Sequence, residues 1–158
     1  MKKQLLIMSI ACLGLLKSVT AEVTIEAPWV REAPPTAKML ASYMVLHNNG
    51  DTSEILKSAA AKGFNRVEIH RTTINNGIAS MEAQDSLEIP AKESVVLQPG
   101  SYHLMLIDGD HHLQEGENVE ISLNFANDKT IEIQAPVRKA PNAPEGHGSK
   151  EHHGEHHH

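Results

Sequence analysis

Short runs in which apolar and polar residues alternate recur from Val23 to Val137, separated by Gly, Pro, Asn and Asp. A period of two sends successive side chains to opposite faces of a strand. "EVTIEAPWV", "LASYMVLHNNG", "NVEISLNFAN" and "TIEIQAPV" each fit one strand. "SVVLQPGSYHLMLI" fits two strands around Pro99-Gly100, and "SEILKSAAAKGF" fits a strand followed by a short helical turn. "RVEIHRTTINNGIASMEA" predicts a hairpin with Asn76-Gly77 at its tip, a pair suited to a two-residue turn. That register sets Asn75 opposite Ile78, Thr72 opposite Met81 and His70 opposite Ala83. No window carries a long helical period, and many short strands at this spacing predict an all-β sandwich or barrel. Trp29, the only tryptophan, is expected in its core.

The two ends of the chain depart from this pattern. Lys2 and Lys3 precede the apolar stretch "LLIMSIACLGLL", and "SVTA" places Val19 and Ala21 at small-residue positions. Residues 1–21 therefore read as a secretory signal peptide cleaved after Ala21. The apolar run is too short to span a bilayer. Lipoprotein processing at Cys12 is less favoured, because Ser9 stands where an aliphatic residue is preferred. Residues 22–137 form one domain in this reading. Residues 138–158 are rich in Pro, Gly, Lys, Glu and His, bury too little apolar surface to offset their ordering entropy, and are predicted to be disordered.

Charge and cysteine count narrow the function. The formal charge is −6, and removal of Lys2, Lys3 and Lys17 with the leader takes it to −9. Such a chain is not drawn to nucleic acid by charge. Cys12 is the only cysteine and falls in the leader, so the mature protein has neither a disulfide nor a thiolate site. No phosphate-binding loop and no motif pairing a nucleophilic serine with a base is recognisable. An enzyme is not expected.

Histidine and methionine carry the remaining chemistry. In the predicted hairpin His70 and Met81 are diagonal neighbours on one face. In "YHLML", His103 and Met105 share the face opposite Tyr102, Leu104 and Leu106. Thioether sulfur together with imidazole selects copper, above all Cu(I), over hard cations, whereas zinc sites draw on Cys, His and carboxylates. A single methionine on an apolar strand is more often packing than ligand. These residues alone leave open whether the two pairs converge.

The run from "EIHRTTINNGIASMEA" through "YHLML" resembles the periplasmic copper chaperones of the PCuAC family, whose signature is His-x10-Met-x21-His-x-Met. His70 and Met81 enclose ten residues, Met81 and His103 enclose twenty-one, and His103-Leu104-Met105 completes the pattern. The likeness extends through "APWVREAPPTAKMLASYMVLHNNG" upstream and "LQEGENVEISLNFAN" downstream. It implies a cupredoxin-like Greek-key sandwich or barrel that binds one Cu(I) through His70, Met81, His103 and Met105. It further implies a periplasmic monomer that passes copper to the copper subunit of cytochrome c oxidase, alongside a Sco-type assembly factor. A storage or resistance protein without specific delivery is the alternative. A blue-copper electron carrier is set aside, because its site needs a cysteine.

Six of the eleven histidines lie in the last twelve residues: His147, His152, His153, His156, His157 and His158. Imidazole suits Cu(II), so this segment is a candidate Cu(II)-capturing arm. Its Gly, Lys and Glu interruptions set it apart from a simple purification tag. His47 is expected to be a turn-adjacent surface residue; His111 and His112, which stand where the family requires no histidine, are expected to be solvated, with a weak secondary metal site as the alternative.

Overall fold

A computed structural model describes residues 23–140. The leader and nearly all of the tail lie outside the described residues, including Cys12 and the six clustered tail histidines. Every regular element within them is a strand: β1 (Val23–Arg31), β2 (Met39–Asn48), β3 (Glu54–Ala61), β4 (Phe64–Asn75), β5 (Ile78–Gln84), β6 (Leu87–Ile89), β7 (Ser94–Leu97), β8 (Tyr102–Gly109), β9 (Asn118–Phe125) and β10 (Thr130–Arg138).

The strands form one sheet in the order β5-β4-β8-β7-β2-β1-β10-β9-β3-β6. A β3–β4 pairing at Ala59 and Val67 closes eight of them into a barrel, with β5 and β6 appended. The first half of β2 pairs with β8 and its second half with β7. The architecture is all-β, as the pattern of short runs predicts, and cupredoxin-like, as the family resemblance implies. Alternation fills the interior: Leu46, Leu56, Ile89, Leu97, Leu104, Leu106, Ile121 and Leu123 are fully buried. Each such side chain stabilises the fold by roughly 1.5–3 kcal/mol through its burial.

Two expectations need correction. "SEILKSAAAKGF" contains no helical turn: β3 runs straight through the alanines and turns at Lys62-Gly63 into β4. Ala59 and Ala61 face the core, so burial of one strand face overrides the helix preference of alanine. Gly63 supplies the left-handed residue of the turn, at φ 82°. Trp29 is only half-buried and packs against Tyr43 with the rings tilted by 42° and their centroids 4.8 Å apart, outside the core cluster. The cause is a bulge in β1. Glu26 pairs with Val45 but Trp29 pairs with Tyr43, leaving Ala27 and Pro28 opposite Met44. Ala27 takes φ 47°, and Pro28, which has no N–H for the ladder, is accommodated at the irregularity.

The hairpin is as the sequence predicts. Asn75 pairs with Ile78, Thr72 with Met81 and His70 with Ala83. Asn76 and Gly77 take φ 52° and 78°, the two positive values a type I′ turn needs. Buried Asn48 anchors the far end of β2. Its amide donates to the carbonyls of Thr52 and Ile89, and its oxygen accepts from the Gly50 N–H.

Candidate metal centre

Antiparallel pairing of β4 with β8 apposes the two His-Met elements. Ile69 and Val67 face Leu104 and Leu106 across the ladder and point into the core. The alternate positions therefore point outward: His70 lies directly opposite His103, and Glu68 opposite Met105. Met81, opposite Thr72 on β5, projects from the same outer face. Register thus places all four residues on one side of three adjacent strands. The imidazole rings of His70 and His103 lie 5.7 Å apart, centroid to centroid.

Hydrogen bonds fix which nitrogen of each ring is free. Gln98-Pro99-Gly100-Ser101 forms a turn in which the Ser101 N–H donates to the Gln98 carbonyl, with Gly100 at φ 80° as a type II turn requires. The Ser101 carbonyl then accepts from the Thr72 N–H and, at 3.2 Å, from His103 Nδ1. A carbonyl only accepts, so Nδ1 carries the proton and Nε2 keeps the lone pair. His70 Nε2 lies 2.8 Å from a Glu68 carboxylate oxygen and donates to it. Hydrogen bonds from His70 and then Arg66 hold the Glu68 carboxyl below its ordinary range. His70 Nδ1 is left buried with no hydrogen-bond partner in the protein.

Metal-ligating histidines characteristically donate their second ring N–H to a carboxylate or backbone carbonyl, and both rings here do so. An orphaned buried ring nitrogen is costly unless something fills its lone pair. The donor set therefore fits a soft cation. Burial is the main cause that pushes the His103 imidazole below its ordinary pKa, and the neighbouring His70 adds to it. The ring is thereby kept neutral and free to donate. No group of three or more His, Cys, Asp or Glu side chains comes together in metal-holding geometry among the described residues.

Met81, His103 and Met105 line one open groove of ≈ 1240 Å³. His103 is almost fully buried, Met105 half-buried, and Met81 is 60% exposed. His70 is not among the residues lining this groove; it lies directly opposite His103 on β4. His112 and Met39 also line it, whereas His111 belongs to a separate cavity with Glu117. His47 is held between Ser94 and Glu26, at 2.6 Å from each. It is thus a surface residue near the end of β2, as expected, with both ring nitrogens paired. The orienting residues Glu68 and Ser101 were not singled out by the sequence reading. The "EIH" spacing, a carboxylate two residues before the histidine on the same strand face, was the available signal for Glu68.

The closed eight-stranded barrel defines a cupredoxin-like domain, and solved structures share that fold. The chain is similar to a Cu(I)-bound solution structure of DR1885 from Deinococcus radiodurans, at 31% identity and TM-score 0.64, covering 77% of this chain and 82% of that one. The apo PCuAC domain from PmoF1 aligns at 27% identity and TM-score 0.65, covering 76% and 96%. The copper-bound PCuAC domain from PmoF2, at 23% identity and TM-score 0.65 over 76% and 95%, shares the fold. The chain belongs to the LpqE-like family of candidate lipoproteins, matched over residues 23–137. It is 28% identical over 124 residues to Lxx21020 of Leifsonia xyli subsp. xyli (strain CTCB07), a candidate lipoprotein, covering 78% of this chain and 74% of that protein.

Proposed function

We propose that this protein is an exported copper chaperone whose cargo is a single Cu(I), held by Nδ1 of His70, Nε2 of His103 and the sulfurs of Met81 and Met105. The observation that carries the reading is the His70–His103 cross-strand pair, with an unpartnered buried Nδ1 and both methionines on the same face. Similar structures that are copper-bound support it, one of them with Cu(I). Four neutral donors match a soft monovalent ion and leave its charge uncompensated. Thioethers bind it more weakly than thiolates, so an acceptor carrying two cysteines draws it away. The copper centre of cytochrome c oxidase, reached with a Sco-type factor, is the proposed destination. The six tail histidines supply a separate site for Cu(II).

Export rests on the leader and is supported by the lipoprotein description of the family. Cleavage after Ala21 releases a soluble periplasmic protein beginning at Glu22, whereas acylation of Cys12 tethers it to a membrane. The intact mass of the mature protein separates the two.

The test of function is a deletion strain grown at low copper. Oxidase activity is expected to fall, and to return with the wild-type gene but not with one encoding Met81→Leu and Met105→Leu together. Full oxidase activity combined with copper sensitivity would instead establish storage.

A further inference from the structure

The groove holds more soft donors than the four already named. Met39 opens β2, is 55% exposed and pairs with Ile107, while Ala41, two residues on, pairs with Met105. Met39 and Met105 are therefore diagonal neighbours on the outer face, within reach of one ion through their long side chains. The small side chain of Ala41 leaves the space beside Met105 open. An Asp108 N–H bond to the Lys38 carbonyl, 2.8 Å long, ties the start of β2 to the end of β8. His112 follows that end and lines the same groove as Met39.

The groove thus runs along β8. Gly100, Met81 and His103 lie toward its first end, Met105 in the middle, and Met39 and His112 at the other. With a strand rise of roughly 3.3 Å per residue, His103 and Ile107 are each about 7 Å along β8 from Met105. We propose that Met39 and His112 form a second, weaker Cu(I) station that shares Met105 with the primary site. The inference rests on the copper reading above. The ion keeps Met105 while it exchanges the His70, His103 and Met81 donors for Met39 and His112. This is ligand substitution at constant oxidation state, and no electron is transferred. A station of only three neutral donors, two of them exposed, is where an acceptor thiolate gains access.

Titration of the full mature chain with Ag(I), a redox-inert probe for Cu(I), tests this. The readout is NMR of methionine methyl carbons and histidine rings, carried on until the tail imidazoles are also saturated. Up to one equivalent, Met81 and Met105 are expected to shift together with a smaller response at Met39 and His112, since a single ion samples both stations, while buried Met44 stays unmoved. If Met39 and His112 never respond although Met81 and Met105 do, the station is overturned and the primary site stands. If Met81 and Met105 fail to respond, the primary site is overturned and the station with it. Met39→Leu, which conserves volume, and His112→Ala should each slow Cu(I) handover to a dithiol peptide about tenfold, the effect of one lost donor in the exchange step. The affinity of the primary site should not change, and an unchanged handover rate in both variants would overturn the transit role.

Discussion

Glu68 acts only through another residue, which makes its removal a sharp probe of the site. Its carboxylate accepts the His70 Nε2 proton at 2.8 Å and so leaves Nδ1 as the donor nitrogen. Substitution to Ala removes that acceptor while leaving all four proposed ligands in the chain. Losses of outer-shell partners typically lower metal affinity about 10–100-fold. The side chain of Glu68 is 36% exposed, so water replaces part of its role, and the effect should fall near the lower end, about tenfold. Glu68→Gln keeps an acceptor oxygen in place and should recover most of the loss. Arg66 bonds the other carboxylate oxygen, at 2.8 Å, and Arg66→Ala should leave affinity nearly unchanged. Anaerobic competition for Cu(I) against a chromogenic chelator measures all three. Wild-type affinity in Glu68→Ala would refute the tautomer argument, and with it the assignment of Nδ1 as donor.

Other consequences are equally open to measurement. Met81→Leu should lower Cu(I) affinity by about tenfold or more, for a donor worth 1.4 kcal/mol or above, and leave the melting temperature of the apo protein unchanged, since Met81 is 60% exposed. Met44→Ala should do the reverse, costing about 2–5 kcal/mol in urea unfolding with no effect on copper, because Met44 is buried in the core. Asn48→Ala strands two carbonyls and one N–H and should destabilise by about 3 kcal/mol in the same assay. The depressed pKa of His103 has a sign that can be checked. The unfolded chain protonates this ring near pH 6.5, above the folded value, so its contribution to stability is complete above about pH 6.5 and is lost as the pH falls toward the folded pKa. His103→Gln should therefore show a smaller drop in urea midpoint than wild type between about pH 7.5 and pH 5.

How much of this could be read from the residues differs from place to place. The β4–β5 register was legible to the residue, because Asn76-Gly77 dictates one turn type and a two-residue loop leaves one pairing. The co-facial placement of His103 and Met105 followed from strand periodicity alone. Apposition of the two His-Met elements did not. It depends on the β4–β8 pairing, a contact across more than thirty residues that no local pattern encodes. The straight course of β3 through its alanines was hidden for the same reason, as burial and not propensity decided it. Trp29 was misplaced because a bulge at Ala27-Pro28 reverses the facing of the residues beyond it. Which nitrogen of each ring is left free was out of reach, since it is set by the Ser101 carbonyl and the Glu68 carboxylate.

X-ray absorption at the copper edge, on mature protein loaded anaerobically with one equivalent of Cu(I), bears most directly on the whole scheme. Two sulfur and two nitrogen scatterers are expected, with sulfur reduced to one in Met105→Leu. A shell of nitrogen and oxygen alone would mean that the metal sits elsewhere and that the imidazole pair on β4 and β8 has another purpose.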